Sequence, residues 1–268
     1  MNYIPLGALD LSIAAMLVVA NAALSIWLQL GLARRILVAA TRMVVQLSLV
    51  GLVLKLLFVA VSPVWTGLAA LGMILFAGQE ILSRQDRRFS GWWAYGMGTG
   101  SMLLAAGLVT VFGLTTALRP DPWYHPQYAI PLLGMVLGNT MTGISLGLNT
   151  LTSQVVEQRA AIEARLALGE SMGTAILPMV RKALRNAVMP IVNAMGTTGL
   201  VSLPGMMTGQ ILGGVEPGEA VKYQILIMFL ISGGTAAGAV AAVMGGARRL
   251  GDDRHRLRLD RLERGRRD

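Results

Sequence analysis

The sequence contains one segment with the form of a catalytic nucleophile motif. Residues Gly143-Ile-Ser-Leu-Gly147 match the Gly-x-Ser-x-Gly pattern, in which a sharp turn exposes a serine hydroxyl for attack. A serine needs a neighbouring base to act as a nucleophile, and histidine usually supplies it. The two histidines, His125 and His255, lie outside the long apolar runs, so Ser145 has no base nearby. We interpret the glycines as helix-packing residues and expect that this chain is not an enzyme.

ATP chemistry is also absent from the chain. A phosphate-binding loop of the Walker A type requires a Gly-Lys pair, whose lysine contacts the β- and γ-phosphates. No Gly-Lys pair occurs anywhere in the sequence. We therefore expect no cofactor in this chain, and we expect any ATP and Mg²⁺ to be bound by a partner subunit.

Metal binding has little support in the residue types. The chain has no cysteine, which removes thiolate ligands and Cys-based zinc and iron–sulfur sites. Methionine is the remaining soft ligand, but the 16 methionines are first of all flexible apolar side chains that fill gaps in packing. The metal ligands stay unknown at this point, with Met206 and Met207 as the remaining candidates.

The elements that carry these residues are those of a membrane protein. Of the 268 residues, 54% are apolar and 14% are charged, whereas a soluble domain carries about 25% charged residues. Long apolar runs of about 20 residues are typical of membrane-spanning helices. The sequence predicts an all-α polytopic protein of the cell inner (plasma) membrane with about seven spans. The predicted spans are residues 11–32, 43–61, 64–79, 92–118, 129–151, 187–212 and 224–246.

The placement of basic residues predicts the orientation. All but three of the 23 Lys and Arg residues fall in alternate gaps between the runs or after the last run. The exceptions are Lys55, Arg119 and Lys222. Because cytoplasmic loops retain positive charge, we expect the N-terminus outside and the C-terminus in the cytoplasm. The net charge of +9 is then a topology signal, and no nucleic-acid partner is expected.

Two segments are expected in the cytoplasm. Residues 152–186 form the longest polar stretch between runs, and residues 155–168 have the composition of a short amphipathic helix. Residues 248–268 form a basic tail behind a transmembrane domain at residues 1–247. The tail's nine arginines and spaced leucines leave two interpretations: a helix on anionic membrane lipid, or a solvated segment that fixes the topology.

The sixth run is too long and too irregular for one straight helix. Residues 186–215 carry no charge but include six glycines, Pro190 and Pro204. A straight helix of this length would measure about 45 Å, against a hydrocarbon core of about 30 Å. We expect a broken helix whose freed backbone groups line a cavity. A tilted helix with a proline kink is the alternative.

Two runs share a spacing pattern. Gly134-Met135-x-x-Gly138-Asn139-x-x-x-Gly143 and Gly205-Met206-x-x-Gly209-Gln210-x-x-x-Gly214 have identical offsets, and each follows a proline. A degenerate inverted repeat would bring Asn139 and Gln210 to one pathway, and chance repetition in a chain with 32 glycines is the alternative. The candidate pathway residues are Asn139, Asn193, Ser202, Pro204, Gly205, Met206, Met207 and Gln210.

The segment Val201-Ser-Leu-Pro-Gly-Met-Met-Thr-Gly-Gln210 resembles the signature of the FetB-type (UPF0014-like) permeases of the ABC class. The resemblance covers most of the second half of the chain and, more loosely, Arg42-x-x-x-Gln46-Leu in the second run. Its other parts are Pro131-x-x-Gly-Met-x-x-Gly-Asn139, Glu163-Ala-Arg-Leu-Ala-Leu-Gly169, Arg185-Asn-Ala-Val-Met-Pro190 and Lys222-Tyr-Gln224.

This resemblance implies a permease that exports iron from the cytoplasm, working as two copies with two subunits of a separate FetA-like ATPase. In ABC permeases a cytoplasmic Glu-Ala-Ala-x-x-x-Gly helix docks on the ATPase. Glu163, Ala164 and Gly169 match this pattern, whereas Arg165 replaces its third small residue, and no Ile-x-Leu-Pro follows at the importer distance. The expected ATPase-coupling residues are Arg159, Glu163, Ala164, Arg165 and Gly169.

Two alternatives to iron export stay open. The hydroxyl and amide side chains of the sixth run suit a nucleotide sugar or another small solute as well as a hydrated ion. From a different class, the chain is a membrane scaffold that transports nothing.

Overall fold

The computed structural model describes residues 7–252 and 254–264 of the chain. These residues form two compact units, one ending at Ala60 and the other beginning at Val61. Six helices in the described part are long and apolar enough to cross a membrane. An all-α polytopic membrane protein is thereby confirmed, while the count of seven spans and the orientation stay predictions.

The first unit is a hairpin of two helices, α1 (Ala8–Trp27) and α2 (Ala33–Ala60). Its turn is built on the buried Ser25. The N–H of Leu30 donates to the Ser25 carbonyl at 2.9 Å, and the N–H of Leu32 donates to the Ser25 hydroxyl at 3.0 Å. These bonds use polar groups that a helix end otherwise leaves unpaired.

The start of α2 corrects the sequence-based prediction. The apolar run predicts a second span that begins at Met43, with Arg34, Arg35 and Arg42 in the gap before it, but α2 already includes all three arginines. Arginine is a good helix former. Its long side chain also reaches water from a position near the membrane surface, so the helix can begin before the apolar run does.

The second unit contains seven helices and two short strands in the described residues. Its elements are α3 (Pro63–Ser83), β1 (Arg87–Phe89), α4 (Trp92–Leu118), α5 (Pro126–Glu157), α6 (Arg159–Ala167), α7 (Met172–Thr197), α8 (Gly205–Leu212), α9 (Pro217–Arg249) and β2 (Leu262–Arg264). Helix α4 matches the predicted span and includes two π-helical stretches, Leu103–Gly107 and Gly113–Leu118. Helices α3, α5 and α9 extend beyond the predicted spans at both ends, because polar residues outside the apolar run continue the helix.

Helix α5 is the centre of this unit and packs against α3, α4, α7 and α9. A Cβ added at Gly234 of α9 would lie 2.8 Å from Val136, and one added at Gly246 would lie 3.2 Å from Leu148. The contacts thus follow the same order along both helices. Helices α5 and α9 therefore run parallel to each other.

Helix α7 runs in the opposite direction. A Cβ added at Gly143 would lie 3.1 Å from the Ala187 carbonyl, and one added at Gly147 would lie 3.8 Å from the Ala183 carbonyl. The order along α7 is thus the reverse of the order along α5. The chain returns through α7 and α8 from the end where α5 stops to the end where α9 starts.

The crossing of α5 and α9 is built from two Thr-x-x-Gly sequences. Thr140 on α5 packs against Gly238 on α9, and Thr235 on α9 packs against Gly143 on α5; Cβ atoms added at these glycines would lie 2.5 and 2.7 Å from the threonine methyl carbons. Both threonines are buried. Since each glycine leaves room for the opposing threonine, the two helices approach more closely than larger residues would permit.

The expected break in the sixth span is present. Helix α7 ends at Thr197, and the short helix α8 begins at Gly205. Pro190 lies inside α7, whereas Pro204 is the N-cap of α8, so only the second proline marks the break. Helix α7 also begins at Met172 rather than near Ala187, because the segment before the apolar run, which includes Arg181, Lys182 and Arg185, is helical as well.

The described part of the basic tail does not form an interfacial helix, contrary to one of its two interpretations. Its described residues form a short 3₁₀ turn, Leu259–Arg261, followed by β2, which pairs antiparallel with β1. The leucines at 257, 259 and 262 pack against the buried core. The Arg261 guanidinium donates to the carbonyls of Arg249 and Gly251 at 2.8 and 3.1 Å. These contacts fold the tail back onto the end of α9.

Charged pairs within the tail support this folded conformation. Arg258 donates two hydrogen bonds of 2.8 Å to the Asp260 carboxylate, and they lower the pKa of Asp260 to about 2. Asp252 accepts from the backbone N–H of Arg256 at 2.8 Å, which lowers the pKa of Asp252. Both carboxylates therefore remain ionised at physiological pH.

The α5–α9 crossing generates a testable prediction. Gly238→Ala places a methyl group against Thr140, and overpacking of this kind costs about 1–3 kcal/mol. We expect the thermal unfolding midpoint of the detergent-solubilised protein to fall. Thr140→Ser removes the opposing methyl, so the double variant Gly238→Ala/Thr140→Ser should recover most of the loss.

Gly233→Ala is the matched control, because a Cβ at this exposed position of α9 has no neighbour within 4 Å. Its midpoint should stay the same or rise slightly, since alanine favours helix over glycine. Equal losses at positions 233 and 238 would show that the crossing is not the close contact described above.

Candidate functional site

The first candidate site is helix α6, which lies between α5 and α7. Gln158 interrupts the helical path, so the predicted helix over residues 155–168 is divided between α5 and α6. On one side of α6, Ile162 is fully buried and Leu166 packs against the core. The opposite side exposes Ala160, Ala164 and Glu163. Helix α6 is therefore fixed to the bundle by its inner face and presents small residues on its outer face.

The two arginines of α6 have different roles. Arg159 pairs with Glu163 at 2.7 Å on the exposed side, with both side chains largely in solvent. Such an i,i+4 pair contributes about 0.3–0.5 kcal/mol to helix stability. Arg165 instead binds the Glu170 carboxylate at 3.2 Å and donates to the Ala175 carbonyl of α7 at 3.1 Å. Arg165 occupies the position of the third small residue in the ABC pattern, and its side chain ties α6 to α7.

Gly169 ends α6 through its backbone conformation. Its φ is +92°, in the left-handed region that favours glycine. The N–H of Gly169 donates to the Leu166 carbonyl at 3.0 Å, and the N–H of Glu170 donates to the Arg165 carbonyl at 3.1 Å. This hydrogen-bonded ending turns the chain sharply into α7.

Leu168, just before this turn, is 85% exposed. It lies in the segment that the charge pattern predicts to be cytoplasmic. Sequence reasoning missed this residue, because it was one of several leucines in an amphipathic pattern. An exposed leucine beside a row of alanines forms an apolar surface suited to a protein partner.

The second candidate site is the break between α7 and α8. Gly199 has a φ of +90°, and its N–H donates to the Ser202 carbonyl at 2.9 Å. The Thr197 carbonyl accepts from the N–H groups of Val201 and Ser202 at 3.0 and 3.3 Å. The loop is therefore a compact turn that satisfies part of its own backbone.

The break lies alongside the bundle rather than beyond its end. Ala187 of α7 is level with Gly143 and Gly147 of α5. From Ala187 to Thr197 the helix advances about 15 Å, whereas α5 extends about 25 Å from Gly143 to its start at Pro126. Helix α8, with eight residues, is only about 12 Å long. Neither it nor the loop can cross a membrane alone.

Exposed polar groups surround this break. Asn193 and Ser202 are exposed, as are Gly205 and the neighbouring Gly199. Leu200 and Val201 at the tip of the turn are 92% and 83% exposed. Lipid cannot hydrogen-bond polar side chains or free backbone groups. This face of the second unit therefore requires a protein or water as its neighbour.

The predicted amide pair is not joined by a hydrogen bond. The Asn139 side-chain amide is exposed and donates to the Met135 carbonyl of its own helix at 2.9 Å. The Gln210 Oε1 atom is buried and has no hydrogen-bond partner among the described residues. Their meeting on one pathway stays a prediction.

The two methionine candidates lie on α8. Met206 packs against the buried core, and Met207 is partly buried. Within the described part of the chain, no group of three or more His, Cys, Asp or Glu residues is placed to hold a metal ion. For Met206, packing accounts for the position.

The serine motif has the packing role expected for it. Gly143 and Gly147 both lie at close helix contacts with α7 and α9. Ser145 itself is buried, and its hydroxyl has no hydrogen-bond partner among the described residues. Sequence reasoning missed the matching threonines Thr140 and Thr235, although the repeated Thr-x-x-Gly spacing was available as a signal.

Taken together, the described residues define a helical, multi-pass membrane protein. The short surface helix α6 connects α5 to α7, and a break separates α7 from α8. The chain matches the model of UPF0014, described as an uncharacterised protein family, over residues 8–250. The chain belongs to this family and is a multi-pass inner-membrane protein.

Three relatives illustrate the range of the family. The chain is 39% identical over 209 residues to the UPF0014 membrane protein slr1647 of Synechocystis, covering 76% of this chain and 78% of that protein. It is 36% identical over 229 residues to the UPF0014 membrane protein STAR2 of rice, Oryza sativa subsp. japonica, covering 85% and 78%. It is 31% identical over 264 residues to the Probable iron export permease protein FetB of Escherichia coli, covering 95% and 96%. No solved structure matches this chain.

The turn after α6 generates a second prediction. Gly169→Ala forces a Cβ into the left-handed region, at a cost of about 1–2 kcal/mol, although no atom crowds that position. We expect faster amide hydrogen exchange in residues 159–171. Gly173→Ala, inside α7 and equally uncrowded, should leave that exchange unchanged. The same exchange rates in both variants would contradict the role given to Gly169.

Proposed function

We propose that this chain is the permease subunit of an ATP-driven ABC transporter that exports iron from the cytoplasm together with a separate ATPase. The observation that carries the proposal is helix α6, with its inner face buried in the bundle and its outer face of alanines ending at the exposed Leu168. The name of the Escherichia coli relative, a probable iron export permease, supports the substrate.

The proposed docking surface consists of Ala160, Ala164 and Leu168. A leucine anchor with small neighbours fits into an apolar cleft, and a few such buried anchors carry most of the binding energy of an interface. Glu163 and Arg159 form the polar rim beside it. Arg165 faces α7 and acts as a positioning residue, since it ties the docking helix to α7.

The same proposal includes seven spans, with the N-terminus outside. The antiparallel course of α7 and the exposed turn after it support α7 and α8 as the two parts of one crossing. Together with the six long helices, this gives an odd number of crossings. The basic loops then lie in the cytoplasm, as the positive-inside rule requires.

We propose that a second copy of the chain covers the polar face around the break, and that the substrate passes between the two copies. Asn193 and Ser202 there offer amide and hydroxyl oxygens, and Met206 and Met207 lie on the short helix that follows. A transported ion must leave as readily as it enters, so a path of weak oxygen ligands suits transport better than a tight site does.

A test of docking uses Leu168→Asp, with the whole chain co-expressed with its ATPase. Docking would bury the new charge. We therefore expect co-purification of the ATPase and ATP-dependent uptake of ferrous iron into inside-out vesicles to fall at least tenfold. Leu168→Met keeps the apolar anchor and should behave as wild type.

Each result separates the alternatives. If the wild-type complex hydrolyses ATP but accumulates no iron, the substrate is wrong, and nucleotide sugars and other solutes follow in a thermal-shift screen. If Leu168→Asp retains full association and uptake, the docking surface is wrong. If the wild-type chain binds no ATPase at all, the scaffold alternative is favoured.

A further inference from the structure

A groove lies where α7 begins and α9 ends. We call it the α7–α9 groove, and its walls are Ile176, Leu177 and Val180 of α7 with Met244 and Ala247 of α9. Its volume is about 480 Å³, within the range of about 300–1,000 Å³ that is typical of small-ligand pockets. Apart from its rim, the groove is apolar.

One end of the groove is closed by the folded tail. The side chain of Met172 lies over Gly251, so that a Cβ added there would be 2.8 Å from Met172 Cγ. The backbone N–H of Met172 donates to His255 Nδ1 at 3.4 Å. The groove is therefore closed at the tail. From this closed end it runs along α7 and α9 toward the apolar middle of the bundle.

Aromatic residues indicate the depth of the rim. The Arg249 guanidinium lies 4.9 Å above the ring of Trp93, and Trp93 and the adjacent Trp92 are 58% and 85% exposed. Exposed tryptophans of membrane proteins concentrate at the level of the lipid headgroups. Arg248, next in sequence to Arg249 and also on the groove, therefore lies at headgroup level.

The rim carries a positive charge. Arg248 is exposed and has no carboxylate partner among the described residues. Asp252 also lies on the groove, but it pairs with Arg256 at 2.8 Å and lies 3.8 Å from Arg258, which compensates its charge. A guanidinium binds phosphate oxygens in a fork-like geometry, so Arg248 is suited to a phosphate group.

We propose that the α7–α9 groove binds one anionic phospholipid, with an acyl chain along the apolar walls and the headgroup phosphate at Arg248. The apolar walls match the acyl chain. Arg248, at headgroup depth and without a carboxylate partner among the described residues, matches the phosphate. A free phosphate would leave the walls empty, and a zwitterionic lipid would bring its own positive charge to the rim.

Native mass spectrometry of the purified full chain tests this site with two probes, dioleoyl phosphatidylglycerol and dioleoyl phosphatidylcholine. Wild type should retain the anionic lipid in preference. Arg248→Gln should weaken retention of phosphatidylglycerol about fivefold, the expected effect of one basic residue at an anionic surface, and leave phosphatidylcholine unchanged. Leu177→Trp, at the half-exposed edge, fills the groove and should weaken both.

Arg185→Gln is the control, since Arg185 is an exposed cation of α7 outside the groove and should not affect lipid retention. Equal losses from Arg185→Gln and Arg248→Gln would show that general surface charge attracts the lipid, and would overturn the site. A wild-type chain without preference for the anionic lipid, or an unchanged Leu177→Trp variant, would also overturn it, because another part of the assembly would then fill the groove.

Discussion

The hydrocarbon interior of a membrane offers no hydrogen bonds to a polypeptide backbone, and this constraint governs the protein throughout. It explains why six long helices carry the chain. It also explains why the break between α7 and α8 folds into a turn that bonds its own backbone at Thr197 and Gly199. The backbone groups that the turn leaves free require a neighbour other than lipid, so the break gives this face of the molecule a use in assembly or transport.

Close packing holds the central helices of the second unit together. Thr140 and Thr235 each fit against a glycine of the opposing helix, which locks α5 to α9. Helix α7 packs on both of them, and α6 is attached to α7 through Arg165. A force applied to α6 would therefore reach α7 directly, and α7 leads to the break. This continuity is what a permease driven by an external ATPase needs.

The sequence was sufficient for the existence of the six long helices, the packing role of Gly143 and Gly147, and the break at Pro204, because hydropathy, residue type and proline chemistry act locally. It was insufficient for the tail. The pairing of β1 with β2 joins residues far apart in sequence, and no periodicity reveals it. The role of Arg165 was hidden for the same reason, since its partners Glu170 and Ala175 become neighbours only when the chain turns at Gly169.

The central claim is that the outer face of α6 contacts an ATPase in the cytoplasm. The chain has no cysteine, so Ala164→Cys provides a unique attachment point for a photoactivatable cross-linker. In inside-out vesicles that contain the complex, the account predicts a cross-linked product between this chain and a subunit carrying a nucleotide-binding site. The same cross-linker at the exposed Asp121→Cys, expected outside, should give none. A product from position 121 but not from position 164 would contradict the account.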